Sequence, residues 1–135
     1  MNASDATTPV LRPYLPATAD FTAGRDSPRD FLERCLAALD AWEPRIGAFV
    51  TLNLPEARAA AERSTARCRA GNPLSPIDGM PLGIKDIIET ADMPTQNGSP
   101  LFAGFRSERD AASVAALREA GGVRRVSSDP HWTIL

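Results

Sequence analysis

The run Pro81-Leu82-Gly83-Ile84-Lys85-Asp86-Ile87-Ile88 constrains this chain more than any other segment. It is apolar, short and interrupted by a single adjacent pair of opposite charges. A turn-rich connector, residues 72–80 (NPLSPIDGM), precedes it. An apolar run of this length between turn signals fits a buried strand, so residues 81–85 are predicted as a strand ending at Lys85-Asp86. A strand buried on both faces needs paired neighbours and covering helices.

The flanking sequence supplies such helices. Ser27 can cap a helix, Pro28 suits its first position, and Asp30 faces the positive end of its dipole. Phe31, Leu32, Cys35, Leu36, Leu39 and Trp42 recur at spacings of three and four, which predicts an amphipathic helix ended by Pro44. The short, partly β-branched stretch Ile46 to Leu52 reads as a strand. Pro55 and Glu56 open a second helix reaching about Ala70, with Gly71 as its stop. Its inward face is alanine (Ala57, Ala60, Ala61), and Arg58, Arg63, Arg67 and Arg69 read as a solvated face. Residues 89–106 hold two prolines, two glycines and an Asn-Gly step, the composition of a long ordered loop. A third helix starts near Asp110 and ends at Gly121-Gly122. This alternation of strands and helices is an α/β pattern.

The N-terminal residues 1–26, rich in Ser, Thr, Ala and Pro, read as a flexible arm with at most a turn near Phe21. Length suits one domain. A net charge of −2, with both signs interspersed, carries no electrostatic footprint for nucleic acid or an anionic membrane. No run approaches a membrane span, and the N-terminus lacks the layout of a signal peptide. The expected location is therefore the cytoplasm. The glycosylation patterns at Asn2 and Asn97 carry no weight without secretion. Cys35 and Cys68 read as reduced structural thiols, with no metal spacing to the single histidine, His131. No cofactor and no metal is expected.

Lys85-Asp86 is the pair with chemical potential. Ligand and catalytic sites of α/β folds lie at the carboxyl ends of strands. To act as a base, a lysine must shed its proton. With an unperturbed pKa of about 10.4, roughly one in a few thousand is neutral at pH 7. Burial and neighbouring hydrogen bonds can lower that value, at a cost on the order of 4 kcal/mol. Taken alone, Lys85 reads more readily as a surface lysine paired with a carboxylate at a strand end.

Several segments, in order and at matching spacing, alter that balance. They are Pro44-Arg45-Ile46-Gly47-Ala48-Phe49-Val50, Asp78-Gly79-Met80-Pro81-Leu82-Gly83-Ile84-Lys85-Asp86, and Thr95-Gln96-Asn97-Gly98-Ser99. Arg109-Asp110-Ala111, Val114, Leu117-Arg118 and Ala120-Gly121 complete the series. From about Ser27 to Val123 the chain resembles the opening part of the amidase signature family. The resemblance implies a mixed α/β/α sandwich, present here only in part, and hydrolysis of C–N amide bonds in small-molecule substrates. It also implies a Ser–cis-Ser–Lys mechanism in which Lys85 takes the place of the general base. A hydroxyl is a poor nucleophile until a nearby base removes its proton.

The relay serine of the family lies in a Gly-Ser-Ser-Gly segment and the nucleophile in a later glycine-rich stretch. Neither segment occurs in these residues. Ser127-Ser128 is flanked by Val126 and Asp129 where glycines are required, so it is not read as the relay. After Val123 the resemblance stops: Arg124 and Arg125 stand where the family has an apolar strand, and buried unpaired charge is costly. Residues 27–123 therefore read as the N-terminal part of an amidase domain, and 124–135, with His131, as a divergent tail. A frameshift or shortened reading frame is the expected origin. Such a chain carries the base without the hydroxyls. It is expected to be inactive alone. It would either self-associate through an unpaired sheet edge or act as a non-catalytic or split-enzyme partner of a second chain that supplies the serines. An amidotransferase A-subunit is the alternative within the family.

Overall fold

The computed structural model describes residues 11–127, in which five helices and two strands follow in the order α1 (Tyr14–Thr22), α2 (Pro28–Ile46), α3 (Leu54–Arg69), β1 (Pro81–Lys85), a 3-10 turn (Pro100–Phe102), α4 (Ala112–Glu119) and β2 (Val123–Ser127). The antiparallel logic of a hairpin is absent. β1 and β2 pair in parallel, in a register running from Pro81↔Val123 to Lys85↔Ser127. Parallel neighbours need a long crossover, and here the 89–106 loop and α4 provide it.

α2 begins where the capping signal lies. Ser27 is extended (φ −145, ψ 152), its hydroxyl accepts the amide N–H of Asp30, and Pro28 occupies the first turn. Ser27→Ala is expected to lower stability by about 1 kcal/mol, seen as a reduced urea midpoint; an unchanged midpoint would remove Ser27 from this role. Leu32 and Leu36 of α2 pack on Ala57 and Ala61 of α3 and reach Val123 of β2, forming one core cluster. The alanine face of α3 lets the two helices and the strand approach closely.

The N-terminal arm corrects the sequence reading. Residues 14–22 form α1, and Tyr14 and Phe21 are buried. Their spacing of seven places both rings on one helical face, where they meet Phe31 edge-on, with centroids 5.1 and 6.1 Å away. Pro16 sits in the first turn, where the missing N–H is harmless. A composition that reads as disorder thus folds because α2 and α3 offer an apolar surface, completed by Cys68. Residues 1–10, the rest of the predicted arm, with Asn2, lie outside the described residues.

Two further corrections concern residues 44–52. Pro44 does not end α2; it lies inside the last turn, and the helix closes at Gly47, which is left-handed (φ 60) and donates its N–H to the Glu43 carbonyl at 2.8 Å. The proline forfeits one helical bond only two residues before the natural stop. The strand predicted over Ile46 to Leu52 does not form. Ile46 belongs to α2, residues 47–50 are irregular, and Thr51 makes a single bridge. Glu43 Oε1 accepts the Phe49 N–H at 2.7 Å, so a side chain holds a donor that a partner strand would need.

α3 is not uniformly solvated. Arg58 pairs with Glu33 and Arg63 with Glu56 on the surface. Arg67 instead reaches inward, its Nε and Nη2 donating at 2.8 and 2.6 Å to Asp78, whose side chain is wholly buried. The sequence reading of a solvated face fails for Arg67 because Asp78, eleven positions on, returns beneath it. Burial pushes the Asp78 carboxyl up, but the Arg67 guanidinium and the Leu74 amide outweigh it and hold the group below the usual carboxylate range. Tyr14 donates its hydroxyl to the Asp78 carbonyl, and burial raises the phenol well above its ordinary value. Gly79 follows at φ +87; a Cβ there would collide with Ser64 Oγ and lie 2.6 Å from Pro28 Cβ. Only glycine fits this crossing of α2, α3 and the entry to β1.

Along β1, Leu82 and Ile84 are buried, while Pro81, Gly83 and Lys85 alternate with them and are half-buried. The expectation of a fully buried strand is met on one face only. β2 also extends past Val123: the backbone of 124–127 pairs with β1, although the family-like pattern of side chains stops there. Ladder hydrogen bonds use main-chain groups, so pairing survives a change of side chains. Ser128 and His131 lie outside the described residues.

Candidate active site

Lys85 is the last residue of β1, and the chain turns immediately after it, with the Ile88 N–H donating to the Lys85 carbonyl at 2.9 Å. Its Cα partner across the sheet is that of Ser127. Among the described residues, no hydrogen bond or ion pair holds the Lys85 side chain. The surface ion pair with the adjacent carboxylate does not form.

Asp86 is occupied elsewhere. It is buried, and Oδ1 accepts the Gln96 N–H at 2.8 Å while Oδ2 accepts the Gly98 N–H at 3.4 Å. Its carbonyl accepts the Asn97 N–H at 3.1 Å. Three consecutive amides therefore converge on one residue, an arrangement made possible by left-handed backbone at Asn97 (φ 54) and Gly98 (φ 62). The Asn-Gly step that marks a loop in the sequence is the element that wraps the carboxylate.

The same loop is closed on itself beyond that point. Thr95 N–H donates to the Phe105 carbonyl at 2.8 Å and Gly104 N–H to Gln96 Oε1 at 2.9 Å. Its base is tied by the Ala111 N–H to the Glu89 carbonyl and by the Ala91 N–H to Asp110 Oδ1. The predicted long ordered loop is thus present, and its order comes from side-chain acceptors at both ends. It exposes Leu101, Phe102 and Phe105, and Leu101 is 92% exposed.

A cleft of about 250 Å³ lies elsewhere, lined by Asn53, Glu56, Arg63, Arg67, Asp92 and Arg118 among others. It contains neither Lys85 nor the 95–99 loop. Its arginines are already paired with Glu56, Asp78, Asp92 and Asp110.

One signal in the sequence points to Lys85 independently of any resemblance. Of fifteen lysine and arginine residues, fourteen are arginine and Lys85 is the only lysine. Arginine serves every ion pair described, and it cannot be deprotonated at physiological pH. Apart from His131 in the tail, a removable proton on a cationic side chain is available at this position alone.

Lys85 thus stands at the carboxyl end of a parallel strand, beside an anchored loop, where α/β folds place their sites. The Amidase family model matches residues 30–128. The A-subunit of glutamyl-tRNA(Gln) amidotransferase from Chloroflexus aggregans is 43% identical over 113 residues, covering 82% of this chain and 23% of that protein. The native peptide amidase of Stenotrophomonas maltophilia superposes with a TM-score of 0.70 at 35% identity, covering 91% of this chain and 25% of that one. A peptide amidase bound to chymostatin gives a TM-score of 0.76 at 33% identity, over 90% and 24% of the two chains. This chain belongs to the amidase family. It spans about a quarter of the length of these relatives, and its α/β fold matches part of theirs. No helix among the described residues is long and apolar enough to cross a membrane.

Proposed function

We propose that this chain carries the base-bearing part of an enzyme that hydrolyses C–N amide bonds, with Lys85 as general base of a Ser–cis-Ser–Lys mechanism. The observation that carries the reading is the position of Lys85. It stands half-buried at the strand end, without an ion pair among the described residues, and the neighbouring carboxylate is engaged by backbone amides. A neutral amine there would take the proton of a relay serine, which takes that of the nucleophile. The same lysine would later return the proton to the leaving nitrogen.

The nucleophile and relay serines are not among these residues, so the base by itself has nothing to activate. A second polypeptide, or a further part of the same one, would bring both hydroxyls against the open side of the two-stranded sheet. The exposed apolar residues Ile87, Leu101, Phe102 and Phe105 support such a surface. A cytoplasmic location belongs to the same reading, supported by two unbridged cysteines.

The test is direct. The purified 135-residue chain is expected to release no ammonia or amine from simple carboxamides. Turnover that disappears in Lys85→Ala would overturn the requirement for the missing serines.

A second reading is favoured by the relative from Chloroflexus aggregans, a component of an amidotransferase with 43% identity. In that case the assembled enzyme would serve nitrogen transfer to glutamyl-tRNA(Gln) rather than free hydrolysis. Amide release that depends on the presence of that tRNA would select this reading over a general amidase.

A further inference from the structure

We propose that Asp86 is a positioning residue, whose carboxylate clamps the 95–99 loop to the end of β1 and so fixes the wall of the site beside Lys85. The inference rests on the reading of Lys85 as the base, but its central claim concerns the loop and stands on separate geometry.

Asp86 is 4% exposed, yet its carboxylate makes no ion pair among the described residues. A buried carboxylate needs donors, and here they are the Gln96 and Gly98 amides. Hydrogen bonds to a charged acceptor are roughly twice as strong as neutral ones. The clamp also determines geometry further out. Gln96, whose amide is held by Asp86, accepts the Gly104 N–H through its own side chain. The Thr95 amide, one residue earlier, is held by the Phe105 carbonyl. The carboxylate therefore anchors the near end of the 95–105 segment, which the Phe105 carbonyl and the Gln96 side chain close further out. Asp86 also directly follows Lys85 in the chain, so any shift of the clamp is transmitted to the lysine through one peptide unit.

The geometry distinguishes two substitutions. Asp86→Asn keeps one acceptor oxygen for Gln96 but turns an NH₂ group toward Gly98. Asp86→Ala removes both acceptors. Amide hydrogen exchange of the uniformly labelled full chain, followed by NMR, reads each bond separately. In Asp86→Ala, exchange at Gln96 and Gly98 is expected to accelerate about tenfold or more, equivalent to about 1.4 kcal/mol. In Asp86→Asn, Gly98 should accelerate while Gln96 stays closer to wild type.

Access to the single lysine supplies a readout tied to the site. Acylation of Lys85 by an N-hydroxysuccinimide ester, located by peptide mass spectrometry, should accelerate in Asp86→Ala and return toward wild type in Asp86→Asn. Amides of α2 and α3 report global folding. Uniform acceleration across α2 and α3 would show a merely destabilised chain and overturn the proposal. So would Gln96 and Gly98 exchange indifferent to residue 86, or an unchanged rate of Lys85 acylation. None of these results depends on amide hydrolysis, so the clamp can fail while the reading of Lys85 as base stands, and the converse.

Discussion

Lys85→Arg, in an enzyme assembled from this chain and a polypeptide bearing both serines, is expected to lower kcat by about 10²–10⁴-fold with KM little changed. Lys85→Ala should lose a similar factor. The expectation rests on what a base must do rather than on charge. Arginine matches lysine in sign and approximate reach but retains its proton at every accessible pH. If Lys85 only attracted a developing negative charge, Lys85→Arg would keep most of the activity, and that result would refute the role as base. Steady-state hydrolysis over a range of pH checks the point twice. An acid-side limb in the wild-type profile that is missing from any residual activity of Lys85→Ala would assign the base to this side chain. The uneven use of cations sharpens the comparison, since the other fourteen side chains of this class are already arginine.

Arg67→Ala is expected to destabilise the fold by about 3 kcal/mol near neutral pH, read as a large drop in urea midpoint at unchanged slope. Arg67 is partly exposed, but its partner Asp78 has no solvent at all, and the Leu74 amide would be left to hold the carboxylate without its counter-charge. Removing one member of a buried pair leaves an uncompensated charge, and that cost exceeds the net value of the pair. The dependence on pH follows from the direction of the shift. In the wild type Asp78 is held below its unfolded value, so its contribution is complete at pH above that value, about 3.9. The contribution is lost as pH falls through the lower, folded value. In Arg67→Ala burial dominates and pushes the carboxyl up, so the group gains a proton on folding under mild acid. The difference in stability between the two proteins should therefore narrow as pH falls from about 7 towards 4. A constant difference over that interval would mean that Arg67 acts through packing alone.

The asymmetry between Arg67 and the other arginines of α3 shows where reading the chain reaches its limit. Arg58, Arg63 and Arg67 have the same chemistry and sit on the same helix. Periodicity shows that none belongs to the alanine face, but not that Asp78 comes back beneath one of them. α1 is a similar case. Tyr14 and Phe21 are seven apart, a helical spacing, yet two prolines and several threonines around them obscure it. The helix forms because Phe31 and Cys68 present a surface, and because an Asp78 carbonyl sixty-four residues away accepts the Tyr14 hydroxyl. Conversely, the β-branched stretch from Ile46 has strand propensity but makes only the single bridge at Thr51 among the described residues, and Glu43 captures the Phe49 amide. Propensity for strands is largely the value of neighbours.

What local pattern can express was legible: the period of α2 and α3, the cap at Ser27, the strand ending at Lys85, the turn chemistry of Asn97-Gly98, and the one lysine able to release a proton. These depend on residues within a few positions of one another. What the tertiary structure decided was which charges are paired. It bound Arg67 to Asp78, gave Asp86 to the loop amides rather than to Lys85, and left the lysine side chain without a counter-charge among the described residues. Such choices depend on distances of a few ångströms between segments remote in the chain, because the energy of a buried charge is determined by the partners within reach and not by its neighbours in sequence.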